Sequence, residues 1–111
     1  MVKPVILQFE GGEEYTLEFS RETIAYAEDH GFSKEDFDTK TMVRMPELFF
    51  YAFRMHHPEV TREQADGILF NDLGGVSSEL AHRLVELYNE GYKSLINVSG
   101  KPKNPKLTVR L

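Results

Sequence analysis

Histidine and carboxylate side chains would carry any acid–base or metal chemistry in this chain, and there are four of the first and 18 of the second. The histidines are His30, His56, His57 and His82. Neighbouring side chains on a helix point about 100° apart, so His56 and His57 cannot readily share one metal. No second histidine stands in the H-E-x-x-H spacing that a helical zinc site uses. The chain has no cysteine, which excludes disulfides, thiolate zinc sites and thiol catalysis. Asp36 and Asp38 lie close together, but the run lacks the alternating ligands, the glycine and the closing glutamate of a calcium loop. Gly11-Gly12 joins strand to strand and has neither the third glycine nor the lysine of a phosphate loop. No serine sits in a nucleophile elbow. Glu13-Glu14, at a turn, reads as a solubilising edge. The expectation is a protein with no catalytic residue, no cofactor and no metal.

The elements that would hold any site are legible from periodicity. Val5–Phe9 reads as a strand, Glu10-Gly11-Gly12-Glu13 as a turn, and Tyr15, Leu17 and Phe19 alternate with Thr16 and Glu18. This predicts a β-hairpin over residues 5–19. Ser20 is a fitting N-cap for a helix near 21–30 that stops at Gly31. Residues 33–36 read as a helical turn or a loop. Residues 41–56 are dense in large apolar groups and read as a helix, with Pro46 implying an irregular first turn or a start near Met45. His57-Pro58 ends it, and its two histidines sit where a helix dipole favours cations. Thr61 with Gln64 matches a capping box for a helix over 62–72, which Gly74-Gly75 breaks. Ser77 or Ser78 caps a last helix to residue 95, where Leu80, Leu84, Leu87, Tyr88, Tyr92 and Leu95 share one face and Gly91 is a weak point. The fold class expected is α+β: an N-terminal β-hairpin on a bundle of about four α-helices, residues 1–96 forming one domain and residues 97–111 a basic extended tail.

The 111 residues suit one domain of ordinary composition, 41% hydrophobic and 28% charged. No apolar run is long enough to span a bilayer or to act as a leader, so a cytoplasmic protein is expected. The Asn97-Val98-Ser99 sequon therefore has no glycosylation to receive. Net charge is −5, but every acid lies at or before Glu90, whereas Lys101, Lys103, Lys106 and Arg110 crowd the last eleven residues. An acidic body argues against phosphate-backbone binding. The helix pair from Arg62 to Tyr92 could be compared with a helix-turn-helix, yet the start of its second helix offers one arginine, one histidine and an acid.

Protein binding is the function class left. The helix 41–56 is apolar nearly all round, and eight phenylalanines and five tyrosines exceed what one small core hides with ease. Candidate protein-binding residues are Phe49, Phe50, Tyr51, Phe53 and Met55 on that helix. Leu107, Val109 and Leu111, which alternate with polar residues in the tail, are the others; such a run could add as a strand to an edge of its own hairpin or of a partner.

Three motifs in order carry a resemblance. They are Phe9-Glu10-Gly11-Gly12-Glu13-Glu14-Tyr15-Thr16-Leu17-Glu18-Phe19-Ser20-Arg21, then Pro46-Glu47-Leu48-Phe49-Phe50-Tyr51-Ala52-Phe53-Arg54-Met55-His56-His57, then Leu84-Val85-Glu86-Leu87-Tyr88-Asn89-Glu90. Together, over residues 2–95, they resemble the small tail assembly chaperones of long-tailed bacteriophages. The resemblance implies a non-enzymatic protein of the host cytoplasm that binds the tape measure protein before the tail tube forms, with the tail tube protein as a second candidate partner, and that self-associates. It also implies a longer frameshifted form, with which codons for Lys103-Asn104 or Asn104-Pro105-Lys106 are compatible. The basic segment 99–111 departs from the acidic ends of that family. The alternative is a small regulatory or nucleic-acid-binding protein using the helix pair 62–92 and the basic tail.

Overall fold

A computed structural model of the chain describes all of residues 1–111. Two strands, β1 (Val5–Gln8) and β2 (Glu14–Leu17), form an antiparallel hairpin, followed by helices α1 (Arg21–Asp29), α2 (Thr41–Tyr51), α3 (Arg62–Gly67) and α4 (Ser78–Lys93). The fold is thus α+β, as the periodicities imply. Gly12, at φ +95°, takes the left-handed position of a three-residue hairpin loop, and its N–H donates to Phe9 O at 3.0 Å. Period-two alternation then does what it must: Leu17 is fully buried, and Val5, Leu7 and Tyr15 pack on the core, while Ile6, Gln8 and Glu14 face solvent.

Capping follows the sequence closely. Ser20 Oγ accepts from Thr23 N at 3.2 Å while Thr23 Oγ1 accepts from Ser20 N at 2.8 Å. Thr61 and Gln64 make the same reciprocal pair at the start of α3. Ser77 Oγ accepts from Leu80 N at 3.0 Å to start α4. After Gly67 the chain widens into one π-helical turn over Ile68–Asp72, with Leu73 N donating to Ile68 O, and Gly74 and Gly75 close it at positive φ.

Helix α2 starts at Thr41 and runs straight through Pro46, which has no N–H for the carbonyl of Met42. Lys40 provides no side-chain cap. The first turn is held instead by Arg44. Its guanidinium donates to both carboxylate oxygens of Asp36 at 2.7 and 3.1 Å, to Glu47 Oε1 at 2.8 Å and to Gly31 O at 3.0 Å. This fork ties the 33–40 loop and the end of α1 to α2. Those hydrogen bonds hold the Asp36 carboxyl below the ordinary range and the guanidinium above its own.

Two expectations need correction, and a third residue gains a role. Helix α2 ends at Tyr51, not at 56: Phe53 N and Arg54 N donate three residues back, to Phe50 O at 3.1 Å and Tyr51 O at 3.2 Å, and the Ala52 carbonyl accepts from Glu18 N at 2.9 Å, next to β2, instead of from His56. His56 and His57 therefore lie beyond the helix and not on its last turn. Helix α4 ends at Lys93, which leaves Leu95 off the buried face and exposed. Gly91, expected to weaken α4, is where α4 comes nearest the α1 side: a Cβ there would stand 2.7 Å from Ile24 Cδ1 and 3.5 Å from Phe19 O. The missing side chain is what lets the two elements touch.

The outer edge of β2 is completed by a side chain. Thr16 N donates to His57 Nε2 at 2.9 Å, and the His57 ring meets Tyr15 edge-on at 5.1 Å. His57→Phe keeps the ring contact but strands the Thr16 amide. An unpaired, half-buried donor costs about 1–3 kcal/mol, so this variant should melt at a clearly lower temperature. His56→Ala, which breaks only the part-exposed 2.8 Å pair with Glu18, should cost less than about 1 kcal/mol. Equal melting of His57→Phe and wild type would show that water serves Thr16 just as well.

Candidate functional site

The residues that sequence singles out part company in the structure. Phe49 and Phe53 are 0% and 1% exposed and Tyr51 is also buried, so these three are core residues and not a surface that a partner can reach. Phe49 and Tyr51 lie among the buried residues of α2, and the tight turns after Tyr51 place Phe53 under the hairpin, where its ring meets Tyr15 at 5.5 Å and Phe49 at 5.2 Å, both edge-on. Phe50 is half-buried against Tyr51, and Met55 is exposed. Leu107, Val109 and Leu111 are all exposed and belong to no strand.

The histidines are scattered. His30 stacks on Tyr26 at 4.0 Å and its Nδ1 meets Tyr26 O at 2.8 Å; His56 pairs with Glu18, His57 serves Thr16, and His82 pairs with Glu86 at 3.3 Å. No three His, Asp or Glu side chains are placed to share a metal ion. Asp36 and Asp38 do not converge on one point either, since Asp36 is taken up by Arg44.

The apolar surface that sequence reasoning missed lies at the C-terminal end of α4. Tyr92, Leu95, Ile96 and Val98 are exposed within seven residues, the last at 94%. Helical spacing had assigned Tyr92 and Leu95 to the core face. Tyr92 is still on α4 but stands at the edge of the core, and the stop at Lys93 frees Leu95; the only sequence signal for that stop is Ser94 with the loss of periodicity after Leu95. Tyr92 forms a ridge: it stacks on Tyr88 at 6.2 Å, and Lys34 Nζ lies 5.5 Å from its ring.

Two shallow clefts lie against the stacked Tyr88–Tyr92 pair, one lined by each ring. One, of about 200 Å³, is walled by Phe32, Phe37, Leu48, Val85 and Tyr88, with Lys34 at its rim. The other, of about 210 Å³, is bounded by Arg21, Ile24, Gly91, Tyr92 and Leu95. Asn89 Oδ1, beside the first cleft, is buried without a hydrogen-bond partner. The Tyr88 hydroxyl donates to Glu28 Oε2 at 3.2 Å; burial, with the Glu28 charge second, pushes its pKa well above the ordinary tyrosine value, so it stays a donor. Burial likewise raises Tyr15 and Tyr51. Each cleft can take an apolar side chain.

No helix is long and apolar enough to cross a membrane. No curated protein and no solved structure matches the chain. One family does match, over residues 1–111, and the chain belongs to it: a domain of unknown function, DUF5055.

Proposed function

We propose that the protein is a non-enzymatic assembly chaperone of the phage-tail kind, working in the host cytoplasm. It holds the tape measure protein, with the tail tube protein as a further partner, and associates with copies of itself. The observation that carries this reading is the run of exposed apolar side chains Tyr92, Leu95, Ile96 and Val98, with one cleft against Tyr92 and Leu95 and another against Tyr88, on which Tyr92 stacks. A client helix presents apolar anchors at i, i+3 or i+4, and i+7, and a two-cleft surface can receive two of them. The sequence motifs named above supply the client's identity.

Co-expression tests it. The tape measure protein made with wild type should stay soluble and co-purify. With Tyr92→Ala plus Leu95→Glu, recovery of the complex should fall at least about tenfold, the scale of losing one good anchor. Both substituted side chains are exposed, so the variant should melt as wild type does. Undiminished recovery would sink the reading. Retention of DNA that falls steeply with salt would favour the regulatory alternative instead.

A further inference from the structure

Beyond its client, the structure points to how one copy meets another: we infer that residues Leu107–Leu111 of one copy add as a strand to the free outer edge of β1 in a second copy. The hairpin register fixes which backbone groups are available. Thr16 and Glu18 send their N–H groups outward, to His57 and Ala52, so the pairs Val5–Leu17 and Leu7–Tyr15 hold the hairpin bonds and Ile6 faces Thr16 across a non-bonded pair. The N–H and C=O of Ile6 and Gln8 therefore point away from β2. No other element bonds to them, and the Ile6 side chain is also exposed. β2 is covered on its outer side and β1 is not. An uncovered edge is a template for another strand.

The tail has the matching character. Leu107, Val109 and Leu111 alternate with Thr108 and Arg110, and all three are exposed and unpaired. The segment before them holds itself away from its own body. Asn97 Oδ1 accepts from Gly100 N at 3.1 Å, Asn97 Nδ2 donates to Lys101 O at 2.7 Å, and Leu107 N donates to Asn104 O at 3.0 Å, with Pro102 and Pro105 between. The molecule accordingly measures 54 × 34 × 25 Å with a radius of gyration of 16.2 Å, against about 13 Å for a compact domain of this length. The charge is complementary too. Residues 4–20 carry Glu10, Glu13, Glu14 and Glu18 and no base, while residues 99–111 carry Lys101, Lys103, Lys106 and Arg110 and no acid.

Such a contact is head-to-tail: each copy gives one arm and offers one edge. It builds chains or rings and not only pairs. It stands or falls apart from the client reading, because it uses neither the Tyr92 ridge nor its clefts.

Sedimentation of the full-length protein tests it with two single variants. Val109→Pro spoils the arm at an exposed position. Ile6→Lys sets a positive charge on the edge and keeps every hairpin bond. Wild type should grow in mean mass with concentration, and less so at high salt. Each variant alone should weaken association at least tenfold. An equimolar mixture should form a dimer and stop there, since the intact arm of one variant meets the intact edge of the other. A wild type that stays monomeric at its highest soluble concentration overturns the inference. So does a Val109→Pro variant that associates like wild type. Protection of the Ile6 and Gln8 amides against hydrogen exchange in a monomer, lost in Val109→Pro, would also overturn it, by putting the arm on its own hairpin.

Discussion

Phe53→Ala is expected to lower stability by about 3–5 kcal/mol, enough to unfold much of a domain whose whole stability is about 5–15 kcal/mol. The ring is 1% exposed and has nowhere to relax. It bridges the hairpin to α2, with edge-on contacts to Tyr15 and Phe49, and Tyr15 in turn meets Phe9 and His57. Removing it opens a void between the only two strands and the helix that supports them, and close-packed walls close such a void only in part. Urea unfolding should show the lost midpoint. Phe50→Ala, on a half-buried ring of α2, is the control and should cost much less. Similar midpoints for the two variants would mean that Phe53 is not the wedge its contacts suggest.

Tyr88→Ala should cost a comparable amount, about 3–5 kcal/mol. Tyr88 is 2% exposed and joins three parts of the chain. Its ring meets Phe19, just before α1, at 5.4 Å and Phe32, just after α1, at 5.3 Å, and its hydroxyl donates to Glu28. Tyr88→Phe separates the two contributions. It keeps the rings and removes only the hydrogen bond to a carboxylate, so about 1–2 kcal/mol should go. The measurement is the pair of unfolding midpoints. If Tyr88→Phe were as damaging as Tyr88→Ala, the hydroxyl and not the ring would be what pins α4 to α1.

The two predictions also mark where sequence reading succeeded and where it could not. Ser20, Thr61 and Ser77 are local devices: each cap is complete within three residues, so its spelling is visible. The hairpin and the four helices follow from such signals together with periodicity. The end of α2 is not local. It depends on the Ala52 carbonyl bonding to Glu18, 34 positions earlier in the chain, and no window around residue 52 contains that partner. Gly91 reads as a flaw until Ile24 stands beside it. The same limit explains the candidate surface. Phe49, Tyr51 and Phe53 differ in no local property from the exposed aromatics that interfaces use, and only distant partners put them inside, Tyr15 against Phe53 and Tyr26 and Phe32 against Tyr51. Leu95 fails in the opposite sense, since periodicity assigns it to a helix that stops at Lys93, and Tyr92, still on α4, lies at the edge of the core and not within it.

The covered edge of β2 also bears on the order in which the protein can fold while it is being made. A ribosome delivers the hairpin first, yet Thr16 waits for His57 and Glu18 for Ala52, some forty residues later. The backbone carbonyl of Lys3 waits longer still, for Arg83 of α4, 80 positions away. An isolated two-stranded hairpin is marginal in water. The hairpin, made before the residues that complete it, is therefore stabilised only later, and until Ala52 and His57 arrive the edge of β2 is as bare as that of β1.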